Sequence, residues 1–120
     1  MKLDPKSTKI LIVGLGLLGG SYASKLTELG YRVTAVTRSQ KSIDYAMEKG
    51  MIAAGTANPD PTLIGEADLV VFALYPHIFI KWLEDYQSLL KPGALLTDVT
   101  GVKGCVVDRV QNMQIGRAHV

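Results

Sequence analysis

Short apolar runs rich in β-branched residues alternate along this chain with amphipathic stretches of helical length, the pattern of successive β-α-β units. Ile10 to Val13 is continuously apolar, as a parallel strand buried on both faces must be. Gly14 to Gly20 turns the chain. The spacing then predicts a helix over Leu17 to Leu29, with Leu18, Tyr22, Leu26 and Leu29 on one inner face and Gly30 as its C-terminal stop. A second strand is expected over Arg32 to Thr37. A second helix is expected over Ser39 to Lys49; it carries Ile43, Ala46 and Met47 inward and ends at another glycine, Gly50. Ile52 to Ala54 reads as a short third strand, and the irregular Asn58-Pro59-Asp60-Pro61 leads into a short helix near Thr62 to Glu66. Leu69 to Leu74 is a fourth strand, and Pro76 to Leu90 an amphipathic helix opened by proline. Lys91-Pro92-Gly93 is a sharp stop. Ala94 to Thr97 makes a fifth strand, and a last helix is expected from about Val102 to Met113.

Composition narrows the class of partner. A chain of 120 residues suits one domain with a real core. The formal net charge is +2 and charged residues make up 20% of the chain, so no basic stripe points to nucleic acid and a small-molecule partner is expected. The single cysteine, Cys105, builds no disulfide framework and has no local metal-ligand spacing, so no metal is expected and a reducing cytoplasm fits. The longest apolar run, Ile10 to Leu18, falls short of the roughly 20 residues of a membrane helix. Met1 to Ser7 has Asp4 and Pro5 where a signal peptide joins its charged start to an apolar stretch.

The chemistry sits first at Gly14-Leu15-Gly16-Leu17-Leu18-Gly19. Gly14 allows the tight turn off the strand, Gly16 lets backbone approach a pyrophosphate, and Gly19 lets helix and strand pack closely. The helix opening at Leu17 and Leu18 offers free N–H groups and a partial positive charge to an anion. A glycine-rich turn with no ligand also matches this pattern. Its context is that of a dinucleotide-binding unit, however, because it leaves an apolar strand, opens a helix and leads into a second strand. The expected architecture is therefore an α/β, Rossmann-type, doubly wound and mainly parallel sheet that binds NAD or NADP.

Three further stretches fall at strand ends. Where an NAD-selective domain usually places a carboxylate for the ribose hydroxyls, this chain has Thr37-Arg38-Ser39. An arginine flanked by hydroxyls can bind the 2′-phosphate of NADP by charge-assisted hydrogen bonds, so NADP is preferred over NAD; the competing reading is a solvated surface arginine. Leu74-Tyr75-Pro76 ends the fourth strand and can border the ribose and nicotinamide side, although Tyr75 can equally cap the sheet edge. His77 follows as a surface residue. Thr97-Asp98-Val99-Thr100-Gly101-Val102-Lys103-Gly104 leaves the fifth strand, where Thr100 and Lys103 can face a substrate. The alternative is that Asp98 or Thr100 caps the last helix and Lys103 is solvated.

Together the glycine turn through Gly20-Ser21, the Leu74-Tyr75-Pro76 turn and the Asp98 to Gly104 stretch resemble the amino-terminal half of prephenate dehydrogenase and its arogenate-using relatives, over nearly the whole chain. The resemblance implies oxidative decarboxylation of prephenate or arogenate in tyrosine biosynthesis, with the hydride passing to the nicotinamide. It also implies a homodimer built through an all-helical carboxyl-terminal domain. The family pattern carries a serine where this chain has Gly101, and its catalytic histidine lies in a Ser-His-Pro motif that this sequence lacks, so no catalytic residue is expected within the chain. His119 is no substitute, having neither the serine nor the proline beside it.

Residues 1–114 are accordingly expected to form the nucleotide-binding domain. Residues 115–120, Ile-Gly-Arg-Ala-His-Val, read as a non-native tail of the kind a sequencing adapter encodes. Such a fragment is expected to expose an apolar face where a second domain docks. Two other readings stay open: another NADP-dependent dehydrogenase or reductase of the β-hydroxyacid or imine type, and a nucleotide-sensing module without chemistry.

Overall fold

The computed structural model describes residues 4–98 and the pair Ala118–His119. Its strands are β1 (Lys9–Val13), β2 (Arg32–Val36), β3 (Ala54–Thr56), β4 (Leu69–Phe72), β5 (Ala94–Asp98) and β6 (Ala118–His119). The helices are α1 (Leu17–Glu28), α2 (Gln40–Glu48), α3 (Pro61–Glu66) and α4 (Pro76–Tyr86), the last running into a 3-10 turn over Gln87–Leu89. All pairings are parallel and the order is β3-β2-β1-β4-β5-β6, the doubly wound arrangement that the alternation predicts. β6 lies in the segment read from the sequence as a tail. The last helix expected from Val102 lies outside the described residues, as do Thr100, Gly101, Lys103 and Cys105.

Continuous apolarity in β1 has its reason in the two layers that cover the sheet. Ile10 and Ile12 point to the layer of α1 and α2, where they meet Ala23, Ile43, Ala46 and Ile52. Leu11 and Val13 point to the other layer, with Ile64 of α3 and Phe79 and Leu83 of α4. Every one of these side chains is buried.

Five expectations change. The inner face of α1 is Gly19, Ala23 and Leu26, whereas Tyr22 and Leu29 are 45% and 55% exposed. The helix passes so close to the glycine turn at Gly19 that no side chain fits there, and this fixes which face of α1 turns inward. In α2, Ile43 and Ala46 are buried but Met47 is 46% exposed. It stands in the last turn of α2, next to the helix end at Glu48. The third strand begins at Ala54, not Ile52: Ala53 N–H reaches the Val33 carbonyl, and the ladder registers Thr34 with Ala54. Ile52 instead drops into the core before the strand starts. The fourth strand stops at Phe72, and the helix after it ends at Tyr86 before its 3-10 turn. Gly30, Gly50 and Gly93 end their segments with positive φ, as their positions predict.

At the amino edge of the sheet Asp68 accepts hydrogen bonds from the Lys9 N–H (2.7 Å) and the Lys91 ammonium. Partial burial pushes its carboxyl upward, but the Lys91 and Lys9 hydrogen bonds and the charges of both lysines outweigh this and hold it below the ordinary carboxylate value. Lys9 and Arg32 also pair with Glu66. These charges lie at the opposite end of the strands from the glycine turn.

Candidate nucleotide site

β1 and β4 are neighbours, but the helices that follow them cover opposite faces of the sheet, which opens a crevice at their carboxyl ends. The glycine turn occupies that point. Gly14 N–H donates to the Val36 carbonyl and Ala73 N–H to the Val13 carbonyl, both at 2.9 Å, fixing the turn between β2 and the end of β4.

The three glycines have three different constraints. Gly14 has φ +95°, and a Cβ there would stand 2.7 Å from the Ala73 carbonyl oxygen. At Gly19 a Cβ would fall on the carbonyl of Gly14. Both positions are therefore required by the fold itself. Gly16 is different: its φ is −70° and a Cβ there would meet nothing within 4 Å. The turn leaves open space over Gly16, a cradle that a side chain would fill, beside the start of α1. That helix opens without a side-chain cap and without an acidic residue in its first turn, so its N–H groups are left for an anion. The residues present thus fit a diphosphate at Gly14 to Gly19.

A cavity of about 450 Å³, within the size range of small-molecule sites, runs from this turn along the flank of α4. Val13, Gly14, Val36, Thr37 and Arg38 form its upper wall. Ala57, Asn58 and Pro59 form a second wall, held by Thr37 N–H to the Thr56 carbonyl (3.2 Å), Asn58 N–H to Thr56 Oγ1 (3.2 Å) and the Asp60 cap on α3. Leu74 and, along α4, Ile78, Lys81, Trp82, Asp85 and Tyr86 close the third side. A shallower groove on the other side of the turn runs between α1 and α2, with Leu15, Gly16 and Lys41 among its lining.

Of the residues singled out from sequence, Gly14, Thr37, Arg38 and Leu74 come together in the cavity, and Gly16 borders the groove beside it. Ser39 does not line the cavity; it caps α2, accepting from Ser42 N–H at 3.3 Å. Tyr75 and Pro76 begin α4, where Tyr75 is 73% exposed at the sheet edge and lines neither space. His77 is exposed in the first turn. The walls given by Asn58–Pro59 and by α4 were not anticipated. Their signal is the stripe 78, 81, 82, 85, 86, spaced as one helix face and mixing polar with apolar residues. Among the described residues no group of acidic, histidine or cysteine side chains could hold a metal ion, and no helix is long and apolar enough to cross a membrane.

The family described as prephenate dehydrogenase, nucleotide-binding domain, matches residues 22–120. Among solved structures, prephenate dehydrogenase from Aquifex aeolicus, in complex with hydroxyphenyl propionate and NAD+, is 27% identical with a TM-score of 0.81, over 92% of this chain and 40% of that one. Arogenate dehydrogenase from Synechocystis is 28% identical with a TM-score of 0.83, over 92% of this chain and 39% of that one. A mitochondrial 3-hydroxyisobutyrate dehydrogenase-like protein (like 2) of Arabidopsis thaliana is 30% identical over 111 residues, 84% of this chain and 34% of that protein. The chain thus spans between 34% and 40% of the length of these relatives.

Proposed function

We propose that this chain, which belongs to the family of prephenate dehydrogenase nucleotide-binding domains, supplies the cofactor-binding part of an NADP-preferring oxidoreductase that oxidatively decarboxylates prephenate or arogenate. The observation that carries the reading is the open cradle over Gly16 at an uncapped helix start, two residues after Gly14, which lines a cavity edged by Arg38. The diphosphate is held by N–H groups of the Gly16-Leu17-Leu18 turn, and Gly14 and Gly19 keep that turn tight. The adenosine half lies along the α4 cavity, with Thr37 and Arg38 at the ribose. Arg38 favours a 2′-phosphate, since its guanidinium supplies charge and a planar donor fork. Leu74 and the backbone of Tyr75 border the nicotinamide side. When bound, the cofactor accepts the hydride.

Thr100 and Lys103, in the Asp98 to Gly104 stretch, face the substrate in this reading. The remaining substrate groups belong to a part of the whole protein beyond this chain, through which it also dimerises. A second reading, a β-hydroxyacid dehydrogenase, is favoured by the 3-hydroxyisobutyrate dehydrogenase-like relative.

Calorimetric titration of the chain with NADP and NAD tests the cofactor reading: saturable binding with NADP the tighter is expected, and binding of neither overturns it. Assay of the whole protein with prephenate, arogenate and 3-hydroxyisobutyrate separates the two readings of its activity. The 120 residues alone are expected to turn over none of them.

A further inference from the structure

We propose that the outer face of α2 is a self-association surface, on which a second copy of this chain lays its own α2 antiparallel about a two-fold axis between Asp44 and Tyr45. Lys41, Asp44, Tyr45 and Glu48 follow i, i+3, i+4, i+7 spacing, so they share one side of the helix. All four are exposed, opposite the buried Ile43 and Ala46. The nucleotide plays no part in this contact.

The fold of a single chain gives no reason for these charges. α2 runs from Gln40 to Glu48 with no acidic residue in its first turn and no basic residue in its last. Lys41 therefore stands at the positive end of the helix dipole and Glu48 at the negative end, each on the unfavourable side. Asp44 and Glu48 are in addition like charges four residues apart, a destabilising pair on a helix. Among the described residues Lys41, Asp44 and Glu48 form no ion pair, and Asp44 accepts a hydrogen bond from Gln40 Nε2 at 2.9 Å.

An antiparallel copy reverses each of these signs. The axis sets Lys41 of each protomer opposite Glu48 of the partner subunit, so the ion pair forms twice. Each helix end then meets the charge that its dipole favours, and the two dipoles run side by side in opposite directions. Lys41 and Glu48 lie equally far from the axis, which makes the stripe complementary to itself and its natural occupant a second copy. Tyr45 sits beside the axis and supplies apolar area. It is 57% exposed, with the Lys49 ammonium 5.8 Å from its ring centroid, and Met47, 46% exposed, borders the stripe. A single helix pair is a small interface, below the roughly 1,200 Å² of stable complexes, so the expected Kd is about 0.1–1 mM.

Sedimentation equilibrium of the 120-residue chain up to about 1 mM measures the association. We expect a reversible monomer–dimer equilibrium. Lys41→Glu and Glu48→Lys should each weaken it at least about tenfold, because the two-fold axis turns two attractive pairs into two repulsive ones. The double variant Lys41→Glu/Glu48→Lys should recover the original Kd to within about threefold. The two single variants mixed in equal amounts should likewise pair with each other, since each presents the charge that the other lacks. Neither single variant should melt below the unaltered chain in dilute solution, because each removes a charge set against the helix dipole. That separates lost association from lost folding. A chain that stays monomeric throughout, single variants that associate as before, or a double variant and a mixture that both fail to recover each overturns the α2 interface.

Discussion

Gly16→Ala separates what the glycine turn does for folding from what it does for a ligand. The backbone there, φ −70° and ψ −164°, is extended and open to alanine, and the new methyl group meets no atom within 4 Å. Two small effects oppose each other. Alanine restricts the unfolded chain, which stabilises by about 0.4–1 kcal/mol. It is also a poorer N-cap than glycine by a similar amount, roughly 0.5–1 kcal/mol. The net change should lie within about 0.5 kcal/mol, a Tm shift of at most about 3 °C for a domain of this size. The methyl group nevertheless occupies the space over which a diphosphate must approach, so Kd for NADP and NAD should rise at least about tenfold, or about 1.4 kcal/mol. Gly14→Ala should behave in the opposite way. Its φ of +95° costs alanine about 1–2 kcal/mol, and the 2.7 Å approach to the Ala73 carbonyl adds to that. Thermal melts followed by circular dichroism, with calorimetric titration of each folded variant, measure both quantities. A Gly16→Ala chain that melts normally and binds both dinucleotides as before would refute the assignment of that open space to the diphosphate.

Other substitutions probe the remaining parts. Arg38→Asp should weaken NADP by about ten- to a hundredfold, from the loss of charge-assisted hydrogen bonds worth about 1.5–3 kcal/mol, and leave NAD unchanged or tighter; calorimetry with both nucleotides checks it, and unaltered NADP affinity refutes the 2′-phosphate role. Asp60→Ala removes the oxygen that caps Thr62 and Leu63, and should cost about 1 kcal/mol in denaturant melts. Because the Asp68 carboxyl sits below its ordinary value in the folded chain, its stabilisation is complete above the unfolded value near 3.9 and is lost as pH falls through the lower folded one. Asp68→Asn should therefore cost about 1 kcal/mol or less at neutral pH and progressively less in acid; an equal loss at neutral pH and at about pH 2 contradicts the charge-based account. Leu83→Ala, at a site 1% exposed against Phe79 and Leu11, should cost about 2–5 kcal/mol and is read from the same melts.

Sheet order and the glycine turn are legible from sequence because each leaves a signal within a few residues. A strand covered on both faces must be apolar throughout, so Ile10 to Val13 and Leu69 to Phe72 announce themselves, and a turn between such a strand and a helix has few chemical solutions. The face of α1 is not legible in the same way. Periodicity assigns the largest side chains inward, but what decides the rotation of that helix is the collision a Cβ at Gly19 would make with the carbonyl of Gly14, a contact set by the turn and not by amphipathicity. Once Gly19 faces the sheet, Ala23 and Leu26 follow it and Tyr22 is turned away. The cavity wall formed by α4 fails to show for a related reason. Trp82 and Asp85 lie more than forty residues from Arg38, and only the parallel crossover that sets β4 beside β1 brings α4 against the end of β2. Along the helix itself the same residues read as an ordinary amphipathic stripe, with Trp82 as core beside Phe72 and Tyr86. The same tryptophan is both core and cavity wall. Its packing in the core fixes α4 against the sheet, and that in turn sets where Lys81 and Asp85 stand along the cavity.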